Sequence, residues 1–402
     1  MSDVMTVGID QMAVYVPPFK LEMGDLASAR GVDPKKFELG IGQDEMAVAP
    51  LTQDTVAMGL NAAIQLFDRA DKVDQQRLDA ISLVIFASET GVDHSKAGAV
   101  FLTDILPIKQ GVRSFEVKQA CYGGTAGLQL ATSYVHQHPE ETVLVVASDN
   151  AKYGLKSGGE PTQGAGAVAM LISQDPRIAK VSDVSAYHTA DVADFWRPTD
   201  QEYPLVDGPL SKKAYLDFFN DTFTSFLGLT HQTIADFTAI CCHVPYTKLG
   251  AKALAPYLDD CDDETAKRLS HYYQQAVSYN RMVGNIYTGS LYLSLFSLLA
   301  HEPNLAPDSE IGMFSYGSGA VGEFFSLYLS KGYGQEIQKH RFAEQLTARK
   351  TLTIDEYETL FEEKIPTKAR DFLVADDHHD PSEYQLKAIN NGHRVYSNPK
   401  NR

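Results

Sequence analysis

Apolar and polar positions along this chain fall into short strand-like runs separated by helical stretches. Thr6–Val16 reads as a first strand that ends at the turn Pro17-Pro18. Leu78–Ala87 (LDAISLVIFA), Thr142–Ala147 (TVLVVA) and Ala165–Ile172 are continuous apolar runs, the pattern of strands in a parallel sheet covered on both faces. Helical stretches lie between them. A short one covers 21–30 and ends at the turn GVDP, a long one covers Ala47–Arg69 with Thr52 and Asp54 as early-turn polar residues, and another covers Lys96–Leu106. The alternation predicts an α/β architecture.

The second half repeats this grammar. Ala239–Cys242 is a strand that ends at His243, much as Leu78–Ala87 ends at Glu89. Tyr279–Ala300 places Asn285 ahead of a helix, as Cys121 precedes its own, and Glu310–Leu329 has a Gly-rich bend like that of Gly164–Met170. Glu89 to Cys121 is 32 positions and His243 to Asn285 is 42, so the match is approximate. The predicted division is a first half over 1–175 and a second over 176–402, with 176–235 as an insertion and 335–370 as charged helices. Two such halves bring the strand ends Glu89, Cys121, His243 and Asn285 to one crevice, where α/β sheets bind ligands.

Composition narrows the class. The 402 residues, 44% of them hydrophobic, can bury a large core or two modest ones. A net charge of -17 argues against nucleic acid, which demands a basic face. The four cysteines form no CxxC pair, which fits a reducing compartment without a disulfide framework or structural zinc. The acidic start MSDVMTVGID lacks a signal-peptide pattern, and Ile286–Ala300 is too short and too rich in Ser, Thr and Tyr to span a membrane. A cytoplasmic globular protein with no membrane partner is expected. The run DDHHD, with His378 and His379, reads as a solvated loop for want of longer-range metal-ligand spacing.

The stretch FEVKQACYGGTAGLQLA, Phe115–Ala131, carries the most chemistry. A strand ending near Ala120, a tight turn at Gly123-Gly124 and a buried helix from Thr125 onward set Cys121 at a helix N-terminus. There the thiolate is favoured below its usual pKa of about 8.5. The alternative is a small apolar residue packed at a helix start. A thiol, a carboxylate and an imidazole at strand ends suffice for one reaction class. The cysteine forms a thioester, Glu89 removes a proton from the adjacent carbon if burial raises its pKa, and His243 polarises an oxygen of the second reactant. Taken singly, Glu89 could instead cap a helix and His243 could be a satisfied core histidine. Lys248 and Lys252, spaced i,i+4, are either a solvated face or a cation pair for a phosphorylated ligand.

Several stretches together resemble one family. SETGVD at Ser88–Asp93, QACYGGTAGLQ at Gln119–Gln129, GGEPTQGAGAVAML at Gly158–Leu171 and YPLVDGPLS at Tyr203–Ser211 resemble the 3-hydroxy-3-methylglutaryl-CoA synthases. HVPYTKLGAK at His243–Lys252, GNIYTGSLY at Gly284–Tyr292 and SYGSGA at Ser315–Ala320 do too. The resemblance runs nearly the full length and is closest to the bacterial form. It implies the thiolase fold, two related halves in a five-layer αβαβα arrangement, a homodimer, and a place in the mevalonate pathway of isoprenoid biosynthesis. By resemblance, Cys121 is acetylated by acetyl-CoA, Glu89 makes the acetyl-thioester enolate-like, and His243 assists at the acetoacetyl-CoA carbonyl. Asn285 and Ser318 match positions that contact the acyl group. Lys248, Lys252 and Ser211 match CoA contacts, and Asp33, Pro34 and Thr162 match weaker ligand contacts. Both CoA thioesters are then substrates, and no cofactor or metal is implied. The loop Tyr153–Pro161 varies in the family, and nothing is carried over to it.

Three alternatives differ in chemistry. A chain-elongating ketosynthase uses a Cys-His-Asn set, present here as Cys121, His243 and Asn285, but needs no carboxylate at the position of Glu89. A β-branching synthase would take its acyl group from a carrier protein, whose phosphopantetheine arm is also anionic. A catalytically dead scaffold would have no need to retain Cys121, Glu89 and His243 together.

Overall fold

The computed structural model describes residues 5–67 and 72–397. Among them, nine strands form one sheet: β1 (Val7–Tyr15), β2 (Ile81–Ala87), β3 (Arg113–Val117), β4 (Thr142–Ala151), β5 (Gly164–Gln174), β6 (Ala179–Thr189), β7 (Ala239–Cys242), β8 (Glu310–Gly317) and β9 (Val321–Leu329). Their order is β7-β8-β9-β6-β1-β5-β4-β2-β3. Outward from the centre, β1 meets β5 and β5 meets β4 antiparallel, while β4–β2 and β2–β3 are parallel. The other side repeats this order. There β6 meets β9 and β9 meets β8 antiparallel, and β8 meets β7 in parallel. The repeat legible in the sequence is thus a repeat of strand order.

The two sides join at a short seam, where Gly8 faces Lys180 and Ile9 faces Ala179. A Cβ on Gly8 would lie 2.1 Å from the Ala179 carbonyl oxygen, so the central strands approach this closely only because residue 8 has no side chain.

Among the described residues, the helices that cover the sheet include α1 (Thr55–Ile64), α2 (Gly98–Ile105), α3 (Gly123–Gln137), α4 (Gly208–Thr230), α5 (Thr247–Asp259), α6 (Asp263–Val283) and α7 (Ser290–His301). Strand alternation decides which helices they meet. Val84 and Phe86 of β2 pack outward with Leu60 of α1 and Leu102 of α2. Leu83 and Ile85 face the other way, into a central core with Leu128 of α3 and Leu295 of α7. Met313 of β8 joins that same central core, while Phe314 turns outward to Phe219 of α4 and Leu254 of α5. The layers therefore run helix, sheet, paired central helices, sheet, helix, which is the five-layer arrangement expected. Each large side chain buried in these cores stabilises by about 1.5–3 kcal/mol. No helix among the described residues is long and apolar enough to cross a membrane.

Several sequence expectations need correction. Residues 176–235 are mostly not an insertion, because they contain β6, a central strand, and the 23-residue helix α4. The strand AKVSDVSAYHT is polar at many positions and half exposed, so it lacks the apolar run that marked β2 and β4. The long helix expected over Ala47–Arg69 is in fact a strand, Glu45–Val48, followed by α1. Pro50 separates them by disfavouring helical backbone at Ala49, and Asp54 caps α1 by accepting from Ala57 N at 2.9 Å. The end of that stretch, Asp68 and Arg69, lies outside the described residues. Leu78 and Asp79 close a helix (Lys72–Asp79), so β2 starts at Ile81. Over 335–370 the structure has three short helices, Tyr333–Gln338, Phe342–Ala348 and Ile354–Glu362.

The seam gives a direct test of the packing argument. Gly8→Ala should destabilise the fold by about 1–3 kcal/mol, the usual cost of overpacking a tight interior. A denaturant midpoint unchanged from the parent would mean that β1 and β6 can move apart freely.

Candidate active site

Three strand ends and one loop build the site. Glu89 follows β2, and its turn is held by Asp149 near the end of β4. Asp149 Oδ1 accepts from Ser88 Oγ (2.9 Å), Glu89 N (2.9 Å), Thr90 N (3.0 Å) and Thr90 Oγ1 (2.7 Å). Its other oxygen accepts from Thr288 N at 3.1 Å and from the Thr288 hydroxyl, in the loop that leads to α7. Burial, and then the Asp149 charge, push Glu89 up to about 8; the Cys121 S–H and Arg197 pull the other way. At neutral pH Glu89 is therefore poised between acid and carboxylate, the condition for a group that must both take and return a proton.

Cys121 lies between β3 and α3 and is half-buried. Its Sγ donates to Glu89 Oε2 at 3.4 Å. The tight turn sits at Ala120, whose φ of 43° is left-handed, and not at the glycines, which form the first turn of α3. Those glycines serve packing. A Cβ on Gly124 would lie 2.3 Å from the Thr288 carbonyl oxygen, so the helix carrying the thiol seats directly on the Thr288 loop. The expected lowering of the thiol pKa is overturned. Burial first, then the Glu89 and Asp149 carboxylates, push Cys121 well above its usual range. A helix terminus contributes about 0.3–1 kcal/mol, less than one pKa unit, and cannot offset burial combined with the two nearby carboxyl groups. The thiol holds its proton and directs it at Glu89.

His243 leaves β7 with 1% of its surface exposed, its N–H donating to Phe314 O at 2.7 Å and its carbonyl accepting from Tyr215 Oη at 2.6 Å. Burial alone pushes its pKa down to about 3, so the ring is neutral at pH 7. Its Nδ1 is buried without a hydrogen-bond partner. Leaving such an atom unsatisfied costs about 1–3 kcal/mol, a cost that a ligand oxygen or proton donor in the site would remove.

Asn285 is fixed from two sides. Its Oδ1 accepts from Tyr287 N (2.9 Å) and Ser290 Oγ (2.8 Å), and its Nδ2 donates to Tyr153 Oη at 3.3 Å. Its backbone N–H reaches Thr162 O at 3.3 Å, so Thr162 borders the site through its main chain. Ser318 sits in the turn between β8 and β9, where its carbonyl accepts from Gln119 Nε2 at 3.4 Å.

The remaining predicted residues lie on α4, on α5 and in the segment that α5 meets. Lys248, half-buried, and Lys252, exposed, occupy successive turns of α5. Thr247 at the start of that helix donates to Gly42 O at 2.6 Å. This fastens α5 to the segment that begins at Asp33 and Pro34, where Asp33 Oδ1 accepts from Lys35 N at 3.0 Å. Ser211 lies in the first turn of α4, which Asp207 caps by accepting from Leu210 N at 3.0 Å. In the DDHHD run, His378 Nε2 pairs with Glu363 at 2.8 Å, and Asp380 accepts from Thr52 at 2.6 Å.

Sequence reasoning missed Asp149, Tyr153, Phe195 and Arg197. Asp149 stands at the polar end of a continuous apolar strand, as Glu89 and His243 do, and that shared position was a usable signal. Tyr153, Tyr287 and Phe195 form an aromatic cluster with ring centroids 5.9–6.1 Å apart. Ionisation of Cys121 or Glu89 would raise both tyrosines, so that cluster lies beside these two groups.

Nearly the whole chain matches known proteins. Residues 4–177 match the family model for the hydroxymethylglutaryl-coenzyme A synthase N terminal region, and residues 178–275 and 263–398 match the C terminal one. A hydroxymethylglutaryl-CoA synthase of Enterococcus faecalis is 47% identical over 98% of this chain and 100% of its own. A polyketide biosynthesis 3-hydroxy-3-methylglutaryl-ACP synthase of Bacillus subtilis is 31% identical, covering 89% of this chain and 88% of its own. Among solved structures, an HMG-CoA synthase complexed with CoA superposes with a TM-score of 0.92 at 37% identity, over 98% of this chain and 100% of that one. With its paired halves, its thiol–carboxylate contact and these matches along its length, the chain belongs to the hydroxymethylglutaryl-coenzyme A synthase family.

Proposed function

We propose that this protein is an acyltransferase that condenses acetyl-CoA with acetoacetyl-CoA, through an acetyl-Cys121 thioester, to give 3-hydroxy-3-methylglutaryl-CoA. The observation that carries this reading is the 3.4 Å contact between Cys121 Sγ and a Glu89 raised to about 8. The Cys121 sulfur attacks the acetyl carbonyl as its proton passes to Glu89. Expulsion of CoA forms the thioester, and the departing sulfur takes that proton back. Glu89, again a carboxylate, removes a proton from the acetyl methyl, and the resulting carbon attacks the ketone of acetoacetyl-CoA. The neutral His243 ring hydrogen-bonds that ketone oxygen, which takes the proton held by Glu89. Water then cleaves the Cys121 thioester and restores the thiol.

In this reading Asn285 and Ser318 orient the acyl group beside the thiol. Lys248, Lys252 and Ser211 receive the CoA moiety, with Asp33, Pro34 and Thr162 as lesser contacts. A phosphorylated arm gains most from local cations on a protein with net charge -17. Both reactants carry an activating thioester, so the steps draw on no resident cofactor. The half over 1–175 supplies nucleophile and base, and the half over 176–402 supplies His243 and Asn285. The greater identity to the CoA-named relative than to the ACP-named one favours free CoA thioesters, as the mevalonate pathway requires. Free cysteines at 121, 241, 242 and 261 suit a reducing, cytoplasmic setting.

A homodimer is part of the same proposal. At one edge of the sheet β7 is wholly buried, whereas at the other no residue of β3 is fully buried and two are exposed. Phe115 on β3 and Leu130 on α3 are exposed large apolar side chains, at 38% and 48%. A second copy of this edge would cover both, as a two-fold contact does.

Glu89→Gln keeps shape and removes the base. Condensation should fall by roughly 100- to 10,000-fold, and in the parent the rate should climb with pH through about 8 as Glu89 ionises. Near-normal condensation in the variant would favour the Cys-His-Asn ketosynthase reading. His243→Ala should still acquire an acetyl mass on a Cys121 peptide while losing acetoacetyl-CoA turnover. Loss of acetylation as complete as in Cys121→Ala would make His243 the thiol's base instead. For the dimer, sedimentation of Phe115→Asp/Leu130→Asp should give a monomer where the parent gives a dimer; equal masses for the two would reject this interface.

A further inference from the structure

Negative groups crowd the reacting atoms. Asp149 raises Glu89, and Asp149, Asp194 and Glu89 all raise Cys121. Set against them is Arg197, which follows the short strand Phe195–Trp196, paired antiparallel with Leu205–Val206. Its Nη2 donates to the Glu89 backbone carbonyl at 3.0 Å, and its charge acts on the Glu89 carboxylate against burial and Asp149.

The arginine is exposed, but its base is fixed. Three residues before it, the buried Asp194 accepts from Tyr316 Oη and Gly319 N, both at 2.9 Å. The Asp194 carbonyl accepts from Asp207 N at 2.9 Å, which closes the loop between them. Phe195 packs against Tyr153 and Tyr287 with centroids 5.9 and 6.0 Å away. The guanidinium is thus delivered to the Glu89 turn by a segment pinned at both ends.

We propose that Arg197 is a positioning residue that holds the Glu89 strand end and sets the ionisation of its carboxylate, keeping a useful fraction of base near neutral pH. This rests on reading Glu89 as the base. Among the described residues, the other groups coupled to the Glu89 charge are Cys121 ahead of α3, Asp149 on β4, Tyr153 after β4 and Tyr287 ahead of α7, and His243 at the end of β7 is neutral at pH 7. None of these carries a positive charge at pH 7, so the task falls to Arg197.

The test is the pH profile of kcat/KM for condensation in the parent, Arg197→Gln, Arg197→Lys and Glu89→Gln. Loss of the positive charge makes ionisation of Glu89 harder, so Arg197→Gln should move the acid limb to higher pH. The shift should be about half a unit to one unit, modest because the group is exposed, with a roughly three- to ten-fold loss below the limb. Arg197→Lys keeps the charge and should return the limb toward the parent position. In the parent itself, added salt should move the limb the same way, since exposed charge is screened; this arm requires no variant to fold. An unmoved limb in Arg197→Gln overturns the proposal, and so does a raised KM with an unmoved limb, which would make Arg197 a CoA contact. Full condensation in Glu89→Gln would instead remove the reading of Glu89 on which the proposal rests.

Discussion

Asp149 is a charge buried away from water, and much of the site is organised around that constraint. Such a carboxylate is tolerable only when its lone pairs are filled. Here the filling comes from the Ser88–Thr90 turn on one side and the Thr288 loop on the other. Those donors oppose the burial that would otherwise drive Asp149 toward its neutral form. The same network joins a strand end of the first half to the loop before α7 in the second. Its residual charge then reaches Glu89 and Cys121. The group that fixes the backbone is therefore also one that sets the chemistry, and the two roles cannot be varied separately.

Much of this was legible in the chain because the relevant signals are local. The apolar runs of β2, β4 and β5 need both faces covered, and the structure covers them. Glu89 and His243 were legible as polar residues that end such runs, and Cys121 as the residue at the turn before a buried helix. What escaped reading depends on contacts between distant positions. Asp149 meets Glu89 across 60 positions and Thr288 across 139. Arg197 meets Glu89 across 108, from a segment without periodicity. Central strand β6 was hidden for a different reason, since one end lies in the seam while the other is half exposed and polar.

The acidity of the thiol shows how a local argument can be right about its cause and wrong about its outcome. Cys121 does stand at a helix N-terminus. The dipole favours the thiolate by an amount that burial, together with two facing carboxylates, exceeds, and both carboxylates arrive from other strands. A protonated thiol beside a glutamate raised to about 8 resists oxidation better than a free thiolate would. In the proposed reaction it becomes nucleophilic only as its proton moves.

The two-pair seam between β1 and β6 has a consequence for how the protein is made. With so few bonds across it, the halves are held together mainly by the shared core around α3 and α7, to which each contributes one face. The first half leaves the ribosome with that face uncovered. Translation at about 5–20 residues per second leaves roughly ten to tens of seconds before α7 emerges. During that interval the inner faces of Ile85, Val145 and Leu128 have no partner from the second half. Synthesis rate and chaperone supply would then bear on the yield of active protein in a cell.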